Sequence, residues 1–300
     1  MVQELHSSHI DKRKWDDAVM KNKDYRIYSL SWFLDAATHG DWKALIVGDY
    51  ESVMPFVMKI KFGIRYCYMP YLVQRYSITG TADQSDYFLS ELKRRYPFGQ
   101  IAVTGELNAK RFNGSLRNNF ELALNPNYRL LYASYSNNHK MNIKRYEKKN
   151  IALTSSAQLE PLLKIFSEEK ANVFKTAELE KILNNIRSIH EASERNGMAK
   201  VYQVSVDGEL IGGAFFVETR DRIYYLLGTS KKGNKDYQGA LYGLLDRVIH
   251  EYSERDMVLD FEGSQIESIG YFFKGFGAIN RPYSYIKWNN LPFFIKWIKK

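Results

Sequence analysis

The sequence predicts an α/β (α+β) chain of two tandem domains, each a mixed central sheet flanked by helices. Three observations carry that prediction. Residues 222–261 read as strand, loop, helix, strand, the order of a right-handed crossover joining two parallel strands. The same order of helix, hairpin, third strand, helix and fourth strand occurs twice. Asp49 to Val103 and Asp207 to Phe261 are both separated by 54 residues (103 − 49 and 261 − 207). The residues themselves hardly match, so the repeat is one of architecture rather than of sequence.

In the first half a helix around 31–39 precedes a strand at 43–47, a turn at 48–51 and a strand at 53–60. A third strand at 64–69, a helix at 85–95 and a fourth strand at 98–104 follow. In the second half a helix at 178–195 precedes strands at 200–205 and 210–218. Asp207-Gly208 between them is a strong hairpin signal. Residues 222–228 are β-branched and aromatic, which suits a pleated strand, and 229–236 are polar, which suits a loop. The helix at 240–252 places Leu241, Leu244, Leu245, Val248 and Ile249 on one stripe. After the fourth strand at 257–262, Ser264 and Glu267 have the spacing of a capping box. Between the halves a basic linker helix over 136–149 carries Lys140, Lys144, Arg145, Lys148 and Lys149. The boundary is placed at Asn150, giving domains 1–150 and 151–300.

With 45% hydrophobic residues in 300 there is ample material for buried cores. The balance of 43 Lys plus Arg against 34 Asp plus Glu gives +9, which favours phosphorylated cofactors, nucleotide-sugars, RNA or an acidic membrane face. The single cysteine, Cys67, excludes an intrachain disulfide framework and suits a reducing cytoplasm. Set between aromatics in a strand, it reads as a buried small hydrophobe. Residues 1–23 are polar and charged, which argues against a secretory signal, and nothing approaches the roughly 18 apolar residues of a membrane span. The tail at 291–300, apolar with lysines, would at most brush an anionic bilayer.

The six histidines are scattered and cysteines do not pair, so no metal site is predicted; His190-Glu191 reads as surface. There is no His-Glu-x-x-His, Gly-x-Ser-x-Gly, Walker loop or Gly-x-Gly-x-x-Gly after a strand. Kinase, protease, zinc-enzyme and dinucleotide chemistry fall on those grounds. The loop at 230–240, with three lysines between strand and helix, can cradle a pyrophosphate on free helix amides. On the next strand, alternation places Asp260 and Glu262 on one side, at the end where open α/β sheets bind ligands. Either can act as base toward an attacking amine if burial raises its pKa; the structural alternatives are an Asp260–Lys pair and a Glu262 that merely precedes the helix cap. Ser264 reads as that cap.

The succession Tyr225-Leu-Leu-Gly-Thr-Ser230, the helix from Ala240, Leu259-Asp-Phe-Glu-Gly-Ser264 and Phe272-Phe-Lys-Gly-Phe-Gly277 resembles the GNAT acyltransferase superfamily. Within it the likeness is to the Fem-type branch, whose chains carry two GNAT-like domains in tandem. Residues 140–150 also resemble the basic helix opening the second Fem-type domain. The resemblance implies a sheet splayed between its fourth and fifth strands beside Gly228. Near that opening lies an acyl-CoA such as acetyl-CoA, or an aminoacyl-tRNA, which an amine attacks. It implies that Leu227, Gly228 and Thr229 offer backbone groups to the donor. Asn234, Lys235, Asp236, Tyr237, Gln238, Gly239 and Ala240 would then form the pyrophosphate loop, and Tyr271 would protonate the leaving thiolate. The usual Gln/Arg-x-x-Gly-x-Gly/Ala pattern is absent, with Tyr237 or Gln238 in place of its middle glycine.

The resulting reading is a cytoplasmic N-acyltransferase acting on an amine of a sugar-nucleotide or cell-envelope precursor. A basic groove between domains would hold that anionic substrate, with Tyr71, Arg75, Lys144 and Arg145 as its candidate residues. The alternatives are a non-catalytic binding or scaffold protein with a degenerate GNAT fold and an aminoacyl-tRNA-dependent ligase.

Overall fold

The computed structural model describes residues 2–104, 112, 114–148, 151–155, 158–232, 239–263 and 265–292. The chain divides into two units, Met1–Arg117 with Pro282–Lys300, and Asn118–Arg281. Residues 118–150 therefore go with the second unit and 282–300 with the first, whereas the sequence reading placed one boundary at Asn150. Local periodicity finds strands but does not say which distant edge a strand will pair with, and pairing decides the boundary here.

The first unit holds β1 (Val2–His6), β2 (Lys43–Val47), β3 (Ser52–Lys61), β4 (Ile64–Tyr68), β5 (Phe98–Val103) and β6 (Gly114–Arg117). The late strand β14 (Tyr283–Asn289) joins them, in the order β1-β2-β3-β4-β5-β14-β6. Only β4 and β5 are parallel, joined through helix α3 (Ala82–Arg95). That helix starts at a capping box in which Thr81 and Gln84 satisfy each other's backbone N–H groups, three residues before the predicted start. Helices α1 (Lys12–Met20) and α2 (Ser31–Thr38) complete the unit. Cys67 is buried, as its aromatic strand predicts.

The second unit holds β7 (Phe120–Ala123), β8 (Ile151–Ser155), β9 (Ala199–Val206), β10 (Glu209–Glu218), β11 (Arg222–Ser230), β12 (Val258–Asp260) and β13 (Ile279–Asn280). Their order is β13-β7-β12-β11-β10-β9-β8. Read backwards, it matches the first sheet position for position, with β7 standing where β14 stands. The predicted duplication is therefore present, and each half contributes one strand to the other's sheet. Helices α4 (Tyr128–Ser134), α5 (Asn137–Glu147), α6 (Glu160–Lys170), α7 (Thr176–Arg195), α8 (Ala240–Tyr252) and α9 (Glu267–Lys274) surround it.

Local chemistry explains these elements. Asp207 and Gly208 both adopt positive φ, 48° and 83°, the twist that a two-residue hairpin needs. Helix α7 buries Leu179, Ile182, Leu183, Ile186 and Ile189 at helical spacing, and His190 goes in with them, 6% exposed with its ring 5.2 Å from Phe215. It is a core residue rather than the surface one predicted. Helix α8 buries Leu244, Leu245, Val248 and Ile249 completely, while Leu241 sits at the margin of the stripe. Helix α9 begins after an N-cap at Ile266; Ser264, the predicted cap, lies outside the described residues. Residues 293–300, most of the apolar and basic C-terminal tail, lie outside them too. Among the described residues no helix is long and apolar enough to cross a membrane.

Candidate active site

The second sheet forks. β11 and β12 run parallel but share only three register pairs, Arg222 with Val258, Ile223 with Leu259 and Tyr224 with Asp260. β11 continues for six more residues, to Ser230, paired with β10 on its other side. Its β12-facing edge from Tyr225 onward meets no strand among the described residues. The register with β10 shifts between Phe215 and Phe216, where Leu226 is the extra residue. Such a bulge bends a strand and sharpens its twist, and this one sits two residues past the last β12 pair. The gap predicted beside Gly228 is present. Tyr225 lies along it, since a Cβ on Gly228 would fall 1.6 Å from the Tyr225 hydroxyl. Leu227 and Thr229 are buried and Gly228 is half-buried.

The closed end of the fork is held by charge. Arg222 Nη1 lies 3.1 Å from Asp260 Oδ2 and 3.0 Å from Glu121 Oε1, tying β11, β12 and β7 together. Burial opposes the guanidinium charge, but Asp260, with Tyr224 and Glu121, holds its pKa above the usual value. Asp260 is fully buried, and its other oxygen, Oδ1, accepts the Glu262 N–H at 3.0 Å. The predicted lysine partner is thus an arginine. Glu262 has φ 61°, so the extended alternation ends at Asp260 and the two carboxylates do not share a strand face. What joins them is the Asp260–Glu262 hydrogen bond, which holds Glu262, half-buried, just past the end of β12.

The start of α8 borders the same region. Its N-cap, Gly239, has φ 97°, and no side chain caps the helix among the described residues. Ala240 is buried; Asn234, Lys235, Asp236, Tyr237 and Gln238 lie outside the described residues. The basic helix α5 packs on this end of α8. Cβ atoms on Gly239 and Gly243 would fall 3.1 Å from Asn142 O and 2.2 Å from the Tyr146 ring. Lys144 and Arg145 point outward from α5 and are exposed.

A cleft of about 540 Å³ is bordered by Ser136, His139, Tyr242 of α8 and Tyr271 of α9. Tyr271 is 63% exposed there. Burial pushes the His139 pKa down, against the pull of its Nε2 bond to Phe272 O at 2.8 Å. A carbonyl can only accept, so Nε2 carries the proton and Nδ1 takes the Ser136 hydroxyl 2.8 Å away.

In the first unit Tyr71 is exposed, but Arg75 is 2% exposed, against the side chain of Gln74 and 5.2 Å from the Tyr283 ring. A substrate contact at Arg75 was expected; the side chain is buried instead. A separate cleft of about 480 Å³ lies on the open face of β4, β5 and β14. Tyr66, Tyr68, Phe98, Gln100, Lys287 and Asn289 line it, and no carboxylate does. Gln100 Oε1 accepts the Tyr285 hydroxyl at 2.5 Å and Asn289 Oδ1 accepts the Leu291 N–H at 3.2 Å. Their amide nitrogens and the Lys287 ammonium are left to donate.

Sequence reasoning missed Arg222, Tyr225, Tyr242 and this cleft. A signal existed for the first: Arg222 and Asp260 are lone opposite charges in two apolar strands joined by a parallel crossover.

A family model described as an acetyltransferase (GNAT) domain matches residues 133–266. No match to a curated protein was found. Among solved structures, FemX superposes with a TM-score of 0.69 at 14% identity, covering 99% of this chain and 100% of its own. A tandem GNAT protein from the clavulanic acid biosynthesis pathway gives 0.57 at 10%, covering 97% and 99%. The C-terminal domain of a putative lysylphosphatidylglycerol synthetase from Agrobacterium fabrum gives 0.55 at 10%, covering 96% and 94%. The matched segment opens at α4, upstream of Asn150, in agreement with the second unit's extent. Residues 133–266 therefore match an acetyltransferase (GNAT) domain model, and the fold of the chain is that of FemX and the tandem GNAT protein.

Proposed function

We propose that this chain is an acyltransferase that moves an acyl or aminoacyl group from a donor in the second-unit fork to an amine on an anionic acceptor. The free edge of β11 beyond Tyr224 carries this reading. Backbone groups of Leu227, Gly228 and Thr229 would hold the donor's arm as a neighbouring strand would. The uncapped first turn of α8 at Gly239 and Ala240 would take its phosphates, with Asn234, Lys235, Asp236, Tyr237 and Gln238 completing the loop. An acyl-CoA such as acetyl-CoA supplies a thioester there; an aminoacyl-tRNA, the alternative donor, supplies an ester.

Glu262 takes the proton of the attacking amine. Asp260, committed to Arg222, positions Glu262 through its N–H and does not itself accept the proton. As the nitrogen–carbon bond forms and the carbon–sulfur bond breaks, Tyr271 gives its phenolic proton to the departing thiolate. Its place beside Tyr242, in the first turn of α8, supports that role. A sugar-nucleotide or similar envelope precursor is the favoured acceptor; the exposed Lys144 and Arg145 of α5 would contact it in the second unit, and the first-unit cleft, rich in donors and aromatic rings, is a separate candidate site for such a ligand.

Thermal denaturation with acetyl-CoA tests the donor site. Acetyl-CoA should raise Tm, and Gly228→Val, which drives a side chain into Tyr225, should abolish the rise. No rise with any acyl-CoA, together with no gel shift of bulk charged tRNA, overturns the reading.

A further inference from the structure

The β3–β4 hairpin projects from the first sheet as a bare two-stranded finger. β3 pairs with β2 only as far as Phe56, and β5 first meets β4 at Tyr66. Between them Lys59, Ile60 and Lys61 pair only with Ile64, Arg65 and Tyr66. Among the described residues the segment from Lys59 to Arg65 therefore has no neighbouring strand on either edge. Three residues of each strand reach about 10 Å.

The finger's composition is unusual for a solvated turn. Its two turn residues, Phe62 and Gly63, have φ of 53° and 73°. That geometry favours Asn, Asp or Gly, and a bulky residue there carries a steric cost. Phe62 is nevertheless 77% exposed and Ile60 64% exposed. Lys59, Lys61 and Arg65, all exposed, flank them along the two strands, and no Asp or Glu occurs from Ser52 to Ala82. The Lys61 ammonium lies 5.4 Å from the Phe62 ring, so cation and apolar tip share one end.

We propose that this finger docks the protein on an anionic lipid bilayer. Phe62 and Ile60 enter the boundary between headgroups and acyl chains, while Lys59, Lys61 and Arg65 remain among the phosphates. The reach matches the roughly 5–10 Å depth at which interfacial segments lie. An apolar tip ringed by cations complements a surface that is uniformly anionic above an apolar layer. Single-stranded RNA would use the cations and the Phe62 ring but has nothing to offer Ile60. The proposal is independent of the acyl-transfer reading.

The test is co-sedimentation of the full-length protein with vesicles of equimolar phosphatidylglycerol and phosphatidylcholine, against pure phosphatidylcholine. Binding should appear on the anionic vesicles alone and weaken with salt. The double variant Ile60→Ser, Phe62→Ser should bind at least about tenfold more weakly with unchanged Tm, since both side chains are exposed. Lys59→Gln and Lys61→Gln should each cost about fivefold. A Phe62→Trp variant should show blue-shifted emission on the anionic vesicles. Equal binding to neutral vesicles, undiminished binding by the double variant, an unshifted tryptophan, or pelleting with single-stranded RNA instead of vesicles overturns the proposal.

Discussion

The two forks in this chain occupy the same place in two matching sheets, yet only the second is open. In the first, β4 and β5 pair at Tyr66 with Phe98 and at Cys67 with Gly99, then separate. The chain itself closes that gap. Tyr76 forms a parallel bridge with Val103, its N–H donating to Ala102 O and its O accepting from Thr104 N, each at 2.8 Å. In the second, no bridge spans the corresponding gap among the described residues. The closed ends differ as well: an edge-to-face pair of Tyr66 and Phe98, ring centres 6.1 Å apart, holds the first, and the buried Arg222 cluster holds the second. One copy of the architecture has spent its opening on structure, and the other has kept it, which is why the proposed donor site lies in the second unit.

The comparison can be broken most decisively at Glu262. Replacing it with Gln should lower kcat by about 10²–10⁴-fold, the usual contribution of a general base, while the acetyl-CoA-induced rise in Tm persists. Unchanged turnover would remove the second fork from the chemistry. At the closed end, Arg222→Met strands Asp260 and Glu121 without their cation. Loss of one partner from a buried pair costs about 3–5 kcal/mol, measurable by urea denaturation; a loss under about 1 kcal/mol would show that the cluster does not hold the strands.

The plug of the first fork gives a paired test. Tyr76 is fully buried and its hydroxyl has no hydrogen-bond partner among the described residues. Tyr76→Ala should cost about 3–5 kcal/mol for the cavity it leaves. Tyr76→Phe should be neutral or stabilising by about 1 kcal/mol, because it removes an unsatisfied group. A destabilising Phe variant would mean that the hydroxyl has a hidden role in the gap.

The smallest effect separates the outer strands. Glu4 of β1 contacts Lys43 Nζ at 2.8 Å, the Tyr96 hydroxyl at 2.7 Å and Arg95 Nη1 at 3.3 Å. Its counterpart β8, Ile151–Ser155, has no ionisable side chain. Burial raises the Glu4 pKa, but Lys43, Tyr96 and Arg95 together bring it below the ordinary 4.5. A folded value below the unfolded one stabilises at higher pH, and that stability is lost as pH falls through the folded pKa. Glu4→Gln should therefore lower stability by about 1–2 kcal/mol at neutral pH, with the difference shrinking below pH 4.5. A pH-independent difference in denaturation curves would contradict this account.

The repeat was legible because its signals are local. Apolar stripes on the helices, the Asp207-Gly208 turn and the β-branched run from Arg222 place elements to within a few residues. The capping box at Thr81 and the true start of α9 were missed, since a cap is fixed by backbone geometry that composition only suggests. At the site, Gly228 and the fork were legible only through the resemblance to GNAT folds, which implied both. Glu262 was legible as a residue, but its left-handed φ was not, so the shared face of Asp260 and Glu262 was a false inference from alternation. Arg75 was read as a candidate substrate contact in a basic groove, whereas it is buried because its loop is drawn into the first fork. The membership of β7 and β14 was invisible, because a strand's sequence does not name its partner.

That exchange has a consequence for biosynthesis. β14 is an inner strand of the first sheet, between β5 and β6, so the N-terminal sheet stays incomplete on the ribosome until residues 283–289 emerge. A fragment ending at Asn150 would expose the edges of β5 and β6 that flank β14 and leave β7 without either neighbour, and the nascent chain carries that liability through much of its translation.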